Sequence, residues 1–293
     1  MTTAAPVPLG NAQRLRRLID SGTPVQAPGA ADPLTARLVE QAGFAAVYMT
    51  GFGVTAARLG VPDLGILTQS EMADAARAMT RAVDIPVIAD ADNGYGGPSN
   101  IERTVHEYIQ ADVAALHLED QTSPKRCGQM AGVQLMEEER AERHIRAAVS
   151  ARADRDMLII GRTDALGVEG LDVALDRAKR YRDAGADLLF VDGVKTLAQA
   201  EEIGRRLEGP KVIALITGTE AANLTLDEAR ELGFSIVLHP LDALFAATAA
   251  AASALATLRA DGFSNAAAQF SYDDFMGVVG LEHHQGLDDN YGS

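Results

Sequence analysis

Short runs rich in Val, Ile, Leu and Ala recur along the chain, each followed by a polar cluster and then by a longer stretch with apolar residues three to four apart. The runs are Pro24–Pro28, Ala45–Thr50, Pro86–Asp90, Val113–Glu119, Met157–Arg162, Asp187–Val191, Lys211–Thr217 and Phe234–His239. Amphipathic stretches lie between them at Ser70–Ala82, Asn100–Ala111, Glu137–Ala153, Leu171–Ala184, Leu197–Leu207 and Thr225–Leu232, and Gly43, Gly185 and Gly233 are placed to end helices before the next run. Runs this continuous in aliphatic residues suit strands covered on both faces. Eight strand-then-helix units of roughly thirty residues predict an α/β fold, a closed eight-stranded parallel (β/α) barrel of the TIM type. An open doubly wound sheet would carry a glycine fingerprint after its first strand, and Pro28-Gly29-Ala30 is not one.

No linker rich in Pro, Gly or Ser divides the chain, so a single domain is expected, with a barrel core over about 12–258 and a C-terminal helical extension over 259–293 that contains the amphipathic segment Tyr272–Leu281. The uncharged, alanine-rich run Ala243–Leu258 falls short of the ~20 strongly apolar residues of a membrane span and reads as a buried helix. A place in the chain's own core and a helix-to-helix contact in an oligomer carry similar weight for it.

Composition narrows the function. With 47% hydrophobic and 23% charged residues the chain is an ordinary globular protein. Its 26 Lys and Arg against 41 Asp and Glu leave a formal charge of −15, which repels phosphate backbones and anionic lipid, so neither nucleic acid nor a membrane surface is expected as a partner. An anionic substrate would need local cations. The single cysteine, Cys127, cannot form an internal disulfide, and with no secretory pattern at the start the expected address is the cytoplasm.

In such a barrel the chemistry sits at the C-terminal ends of the strands. Asp90 and Asp92 end one apolar run, and His117 and Glu119 alternate at the end of the next, so four oxygen or nitrogen groups converge on one mouth. Capping or pairing with Arg162 would explain one such acid alone. The set with Glu119 points instead to a hard divalent cation, Mg²⁺, for which Mn²⁺ can substitute. His117 is balanced between orienting a substrate group and satisfying the core. The N–H groups of Thr50-Gly51-Phe52-Gly53 can form an anion nest, and Arg162 a bidentate clamp for a carboxylate. Gln121-Thr122-Ser123-Pro124-Lys125-Arg126-Cys127-Gly128-Gln129 reads as a mobile loop over the mouth, in which two adjacent cations would lower the pKa of Cys127 and suit it to proton exchange with an enolate. Gly94-Tyr95-Gly96-Gly97 lacks the lysine and spacing of a nucleotide loop and reads as a turn.

The segments Val47-Tyr48-Met49-Thr50-Gly51, Gly60-Val61-Pro62-Asp63-Leu64-Gly65, Ala89-Asp90-Ala91-Asp92-Asn93-Gly94-Tyr95-Gly96, His117-Leu118-Glu119-Asp120-Gln121, Pro124-Lys125-Arg126-Cys127-Gly128 and Ile160-Gly161-Arg162-Thr163-Asp164 together resemble the isocitrate lyase and phosphoenolpyruvate mutase superfamily from Pro24 to about Leu258. The resemblance implies a barrel whose C-terminal helix swaps between subunits of a dimer or tetramer. It also implies Mg²⁺ held directly by Asp90, with Asp92 and Glu119 acting mostly through water. Tyr48, Thr50, Gly51 and Arg162 would hold the substrate's carboxylate and oxygens, with Asp63 near the reacting end. The Lys125-Arg126-Cys127-Gly128 loop is similar to the branch of methylisocitrate lyase, dimethylmalate lyase, oxaloacetate hydrolase and carboxyphosphonoenolpyruvate mutase, whereas phosphoenolpyruvate mutase has an asparagine-centred loop.

What the resemblance implies is Mg²⁺-dependent carbon–carbon cleavage of a 2-hydroxy acid to pyruvate or another small oxo acid, with Cys127 protonating an enolate and Lys125 and Arg162 beside it. Three positions depart from the pattern. Gln129 stands where the loop usually has His, Asp192 where many relatives have Glu, and Leu215 where methylisocitrate lyases have Asn. The last argues for a smaller or less polar substituent than methylisocitrate's. The alternatives are a phosphonomutase or phosphonopyruvate hydrolase, an oxaloacetate hydrolase or decarboxylase, and a catalytically idle barrel that binds a small acid or a partner chain.

Overall fold

The computed structural model describes residues 9–263 and 270–292. Helix α1 (Asn11–Asp20) leads into β1 (Val25–Ala30) and α2 (Pro33–Gln41), then β2 (Val47–Met49), α3 (Gly51–Leu59) and α4 (Gln69–Ala82). There follow β3 (Val87–Asp90), α5 (Pro98–Gln110), β4 (Ala115–Glu119), α6 (Glu138–Arg152), β5 (Leu158–Thr163), α7 (Leu171–Asp183), β6 (Leu188–Val191), α8 (Leu197–Arg206), β7 (Lys211–Ala214), α9 (Leu226–Glu231) and β8 (Phe234–His239). The eight strands are the eight expected runs, parallel and in sequence order, and β8 closes on β1 with Gln26 opposite Val237.

Strand parity separates two buried layers. Tyr48, Ile88, Ile160, Phe190, Ala214 and Leu238 fill the barrel. Met49, Ala89, Ile159, Val191, Ile213 and Leu215, one residue out of step, pack outward against the helices. Side chains of the inner parity that reach the strand ends therefore meet at one mouth.

The alanine-rich segment forms α10 (Asp242–Asp261), and no residue of it is buried. The expectation of a helix sunk in the chain's own core is corrected. Alanine on every side of this helix gives it no single apolar stripe to lay on the barrel. Only its start is anchored, where Phe245 meets Phe52 edge-on at 6.5 Å between ring centroids. At 20 residues α10 is also long and apolar enough, by length and composition, to cross a membrane, contrary to the shorter run read from the sequence. The extension then forms α11 (Tyr272–Val278) and α12 (Leu281–Tyr291), where one amphipathic segment was expected. Gln41 Nε2 donates to the Val278 carbonyl at 3.3 Å and ties α11 to α2. Residues 264–269 and 293 of the expected extension lie outside the described residues.

Candidate active site

Asp90, at the end of β3, is fixed by two backbone donors: the Asp92 N–H at 2.9 Å to Oδ1 and the Gly51 N–H at 3.2 Å to Oδ2. The segment expected to be an open nest is in fact the first turn of α3. Thr50 is its N-cap, and the Gly53 N–H bonds back to the Thr50 hydroxyl at 3.4 Å. A side chain at Gly51 would strike Asp90, its Cβ lying 2.6 Å from Oδ2, so glycine lets the helix end approach the acid. Burial raises the Asp90 carboxyl, but His117, Lys125, Arg162 and the Asp92 N–H outweigh it and hold the group at about 2.

Asp92 lies beyond the strand at φ 46°, a left-handed turn that brings its carboxylate back to the mouth. Lys125 Nζ stands 2.6 Å from Asp92 Oδ1 and 2.8 Å from Asp63, joining β3's turn, the α3–α4 connection and the loop after β4. Burial pushes Asp92 up to about 6 against the pull of Lys125. Glu119 is buried with neither carboxylate oxygen hydrogen-bonded, and desolvation raises it well above the ordinary carboxylate range. Its nearest cation is Arg162, with Nη2 3.4 Å away.

Arg162, on β5, gives the same Nη2 to Asp164 and Asp192, each at 2.8 Å, and its guanidinium lies over the Phe190 ring at 5.4 Å. Burial raises Asp192 to about 6 although Arg162 pulls it down. Beneath this cluster Asp120 accepts from the Thr163 and Tyr181 hydroxyls at 2.7 Å each and from the Asp164 N–H at 2.9 Å. Asp120 thus holds the β5 end in place and does not face substrate. Asp164 and Phe190 were not singled out as site residues, yet each lies two positions from one that was, on the same strand parity.

The loop after β4 is docked onto the mouth. Gln121 bonds the Arg126 N–H and carbonyl, the Cys127 N–H donates to the Asp63 carbonyl at 3.1 Å, and Asn93 Nδ2 donates to the Gln121 carbonyl and the Ser123 hydroxyl. A Cβ on Gly128 would collide with Asp164 and Asp192, so the loop backbone lies directly on the Arg162 cluster. The expectation that neighbouring cations lower the Cys127 pKa is overturned. Arg126 turns away to the Ala131 carbonyl at 3.3 Å, Lys125 is engaged by Asp63 and Asp92, and burial lifts the thiol to about 11. Cys127 is a protonated thiol, suited to giving a proton.

Tyr48, Thr50, Phe52, Asp63, Asp90, Lys125, Cys127, Gly128, Gln129, Arg162 and Asp192 all line one cavity of about 50 Å³, together with an apolar wall of Phe190, Ala214, Ile216, Leu238, Pro240 and Leu241. Three residues expected to contact substrate do not line it. Gly51 spends its N–H on Asp90. His117 is fully buried behind Tyr48, whose hydroxyl lies 2.8 Å from Nε2, and burial lowers its pKa to about 4, so the ring is neutral and positions Tyr48. Leu215 has the outer parity and packs among the helices; Ala214 and Ile216 face the cavity in its place.

The donor set suits a divalent cation. Six buried carboxylates (Asp63, Asp90, Asp92, Glu119, Asp164 and Asp192) face two buried cations, Lys125 and Arg162, and both Glu119 oxygens lack a hydrogen-bond partner. Among the described residues no three acids or imidazoles stand close enough to share one ion directly. That spacing fits Mg²⁺, which keeps several waters and takes one or two carboxylates.

The model of the phosphoenolpyruvate phosphomutase family matches residues 15–259. The 2,3-dimethylmalate lyase of Eubacterium barkeri is 36% identical over 97% of this chain and 99% of its own. Among solved structures, oxaloacetate acetylhydrolase with the inhibitor 3,3-difluorooxalacetate superposes with a TM-score of 0.93 at 34% identity, covering 98% of this chain and 99% of that one. Phosphonopyruvate hydrolase in complex with oxalate and Mg²⁺ does so with a TM-score of 0.88 at 33% identity, covering 97% and 100%. The barrel, the carboxylate-ringed mouth and the docked cysteine loop thus belong to an enzyme of the phosphoenolpyruvate mutase and isocitrate lyase superfamily, whose members are carbon–carbon lyases, mutases and hydrolases of small acids.

Proposed function

We propose that this enzyme is a divalent-metal-dependent carbon–carbon lyase acting on a 2-hydroxy acid with a small apolar substituent, of the 2-alkylmalate class. One observation carries the reading: the cavity lining holds two cations, Lys125 and Arg162, beside the Cys127 thiol, while Phe52, Phe190, Ala214, Ile216, Leu238 and Leu241 give it a broad apolar share. A tricarboxylate such as methylisocitrate would place a charge against that apolar wall with no cation to meet it.

Asp90 would hold Mg²⁺ directly, with Asp92 and Glu119 acting through water. The bound ion would supply Lewis-acid polarisation of the substrate's C2 oxygen. Arg162 and the Tyr48 hydroxyl orient the carboxylate and C2 oxygen, His117 holding Tyr48 in place. A carboxylate of the cluster takes the C2 hydroxyl proton, the C2–C3 bond breaks, and its electron pair is left on C3. The Cys127 S–H delivers a proton to C3, which its raised pKa keeps available. The docked loop excludes water meanwhile. The test is oxo-acid release from a panel of 2-alkylmalates and isocitrates with Mg²⁺, with Cys127→Ser as the inactive control. If no panel member is cleaved while metal still binds, the reading fails.

The small size of the cavity, about 50 Å³, favours a second reading, hydrolysis of a C4 oxo acid such as oxaloacetate. Oxalate release in the same assay separates the two. Phosphonate chemistry would place further negative charge on the apolar wall, and phosphorus NMR of a phosphonate substrate tests it.

The same reading extends to assembly and address. Helix α10 exposes Phe245, Leu255 and Leu258, a face suited to a second copy of this chain in a helix-swapped dimer or tetramer working in the cytoplasm. Light scattering should give a multiple of the chain mass, falling towards the monomer in Leu255→Asp/Leu258→Asp.

A further inference from the structure

Helix α7 carries a buried cation that stands outside the site. Arg177 is 3% exposed and does not line the cavity under the docked loop. It holds the stem of that loop instead. The chain leaves β4 through Asp120, Gln121 and Thr122 and returns through Gln134, Leu135 and Met136. The two sides of this stem are bonded to each other: the Met136 N–H donates to the Asp120 carbonyl and the Thr122 N–H to the Gln134 carbonyl, each at 2.8 Å, with Gln121 paired to Leu135 between them. Arg177 Nη1 donates to the Met136 carbonyl at 2.9 Å and lies 3.4 Å from Asp120 Oδ2, so one nitrogen grips both sides of the stem. Its Nη2 is 3.3 Å from Glu169, in the segment after β5.

The same Asp120 carboxylate sets the surface on which the loop lands. Through the Thr163 hydroxyl and the Asp164 N–H it fixes the end of β5, Asp164 in turn holds Arg162 at 2.8 Å, and Gly128 lies against Asp164. Arg177 therefore bears on both partners of the docking contact, the loop through its stem and the Arg162 cluster through Asp120. Cys127 and Gly128 lie out along the loop, so a small change of angle at the stem is magnified where they sit. The contact has no slack to absorb it, since even a methyl group on Gly128 would overlap the acids beneath.

We propose that Arg177 is a positioning residue for Cys127: it sets the angle at which the loop leaves the barrel, and so the seat of the thiol and of Gly128 on the Arg162 cluster. A guanidinium suits the task because its planar fork holds a carbonyl and two carboxylates in fixed directions, whereas a lysine ammonium is a single point of charge on a flexible stem. The bearing on turnover rests on the lyase reading above; the bearing on docking does not.

The test is the rate at which Cys127, the only thiol in the chain, reacts with an aromatic disulfide at pH 8 in the full-length protein. Arg177→Gln, which removes the charge and the fork, is expected to react about tenfold faster than wild type, and Arg177→Lys, which keeps the charge beside Asp120, only about threefold faster. Ala200→Gly controls for general loosening. It weakens α8, enters none of these contacts, and should lower the melting temperature while leaving the thiol rate within about twofold of wild type. A wild-type rate in Arg177→Gln would overturn the proposal, as would Ala200→Gly reacting as fast as Arg177→Gln. Should Arg177→Gln fail to give a native circular dichroism spectrum, Arg177→Lys decides on the same terms, a wild-type rate counting against the proposal. Wild-type protein that cleaved no 2-alkylmalate would refute the lyase reading and not this one, which the thiol rates decide.

Discussion

Gly128→Ala should undock the loop while leaving the barrel intact. A Cβ at this position would overlap Asp164 Oδ1 and Asp192 Oδ2 and lie 3.0 Å from Arg162 Nη2. Gly128 is not among the glycines with left-handed φ, so alanine strains nothing once the loop has lifted. The only cysteine in the chain reports the change directly. Docked, its thiol sits at about 11, so at pH 8 about one molecule in a thousand is thiolate. A free thiol near 8.5 is roughly one-quarter thiolate at that pH, giving a span of roughly two hundredfold in reactivity towards a disulfide reagent. Gly128→Ala is expected to react at least about tenfold faster than wild type, while its melting temperature stays within about 2 °C because the loop adds little buried apolar surface. Turnover should fall on the order of a hundredfold, the usual cost of misplacing a reacting group by about 1 Å. Equal thiol reactivity in the two proteins, or wild type reacting like a free thiol, would refute the account of the docked loop.

Glu119→Gln removes an orphaned buried carboxylate, so the metal-free melting temperature should hold or rise while Mg²⁺ affinity drops about 10- to 100-fold by calorimetry. Calorimetry at pH 6 in buffers of different ionisation enthalpy should also show proton release on Mg²⁺ binding, because burial raises both Glu119 and Asp92, the latter to about 6. His117 is held neutral with its pKa lowered to about 4, so its contribution to stability is complete above about 6.5 and is lost as pH falls from there to about 4. Denaturant melts of His117→Gln should lack that part of the pH dependence; a curve parallel to wild type would contradict it. Leu215→Asn buries an amide among the helices and should cost about 2–4 kcal/mol of stability with little change in substrate preference, whereas Ile216→Asn should raise KM for an alkylated substrate more than it lowers kcat.

The sequence alone determined the barrel and the ring of acids. Eight aliphatic runs separated by helical patterns have few other ways to bury both faces of every strand, and the acids that end those runs are carried to the mouth by covalent position. Strand parity was equally legible: Tyr48 and Ile88 face inward on the same rule that turns Leu215 outward, and reading Leu215 as a substrate contact overlooked it. Only the tertiary structure decided the rest, because it depends on what each group meets across the fold. Lys125 is claimed by Asp63 and Asp92 from two other segments, and Cys127 is lifted by desolvation where charge counting along the loop suggested the reverse. Alanine composition gave α10 no direction, and whether it lies on its own barrel or stands clear of it depends on the shape of the neighbouring surface. Local pattern fixes which way a side chain points; its charge state and partners are set by residues distant in the chain.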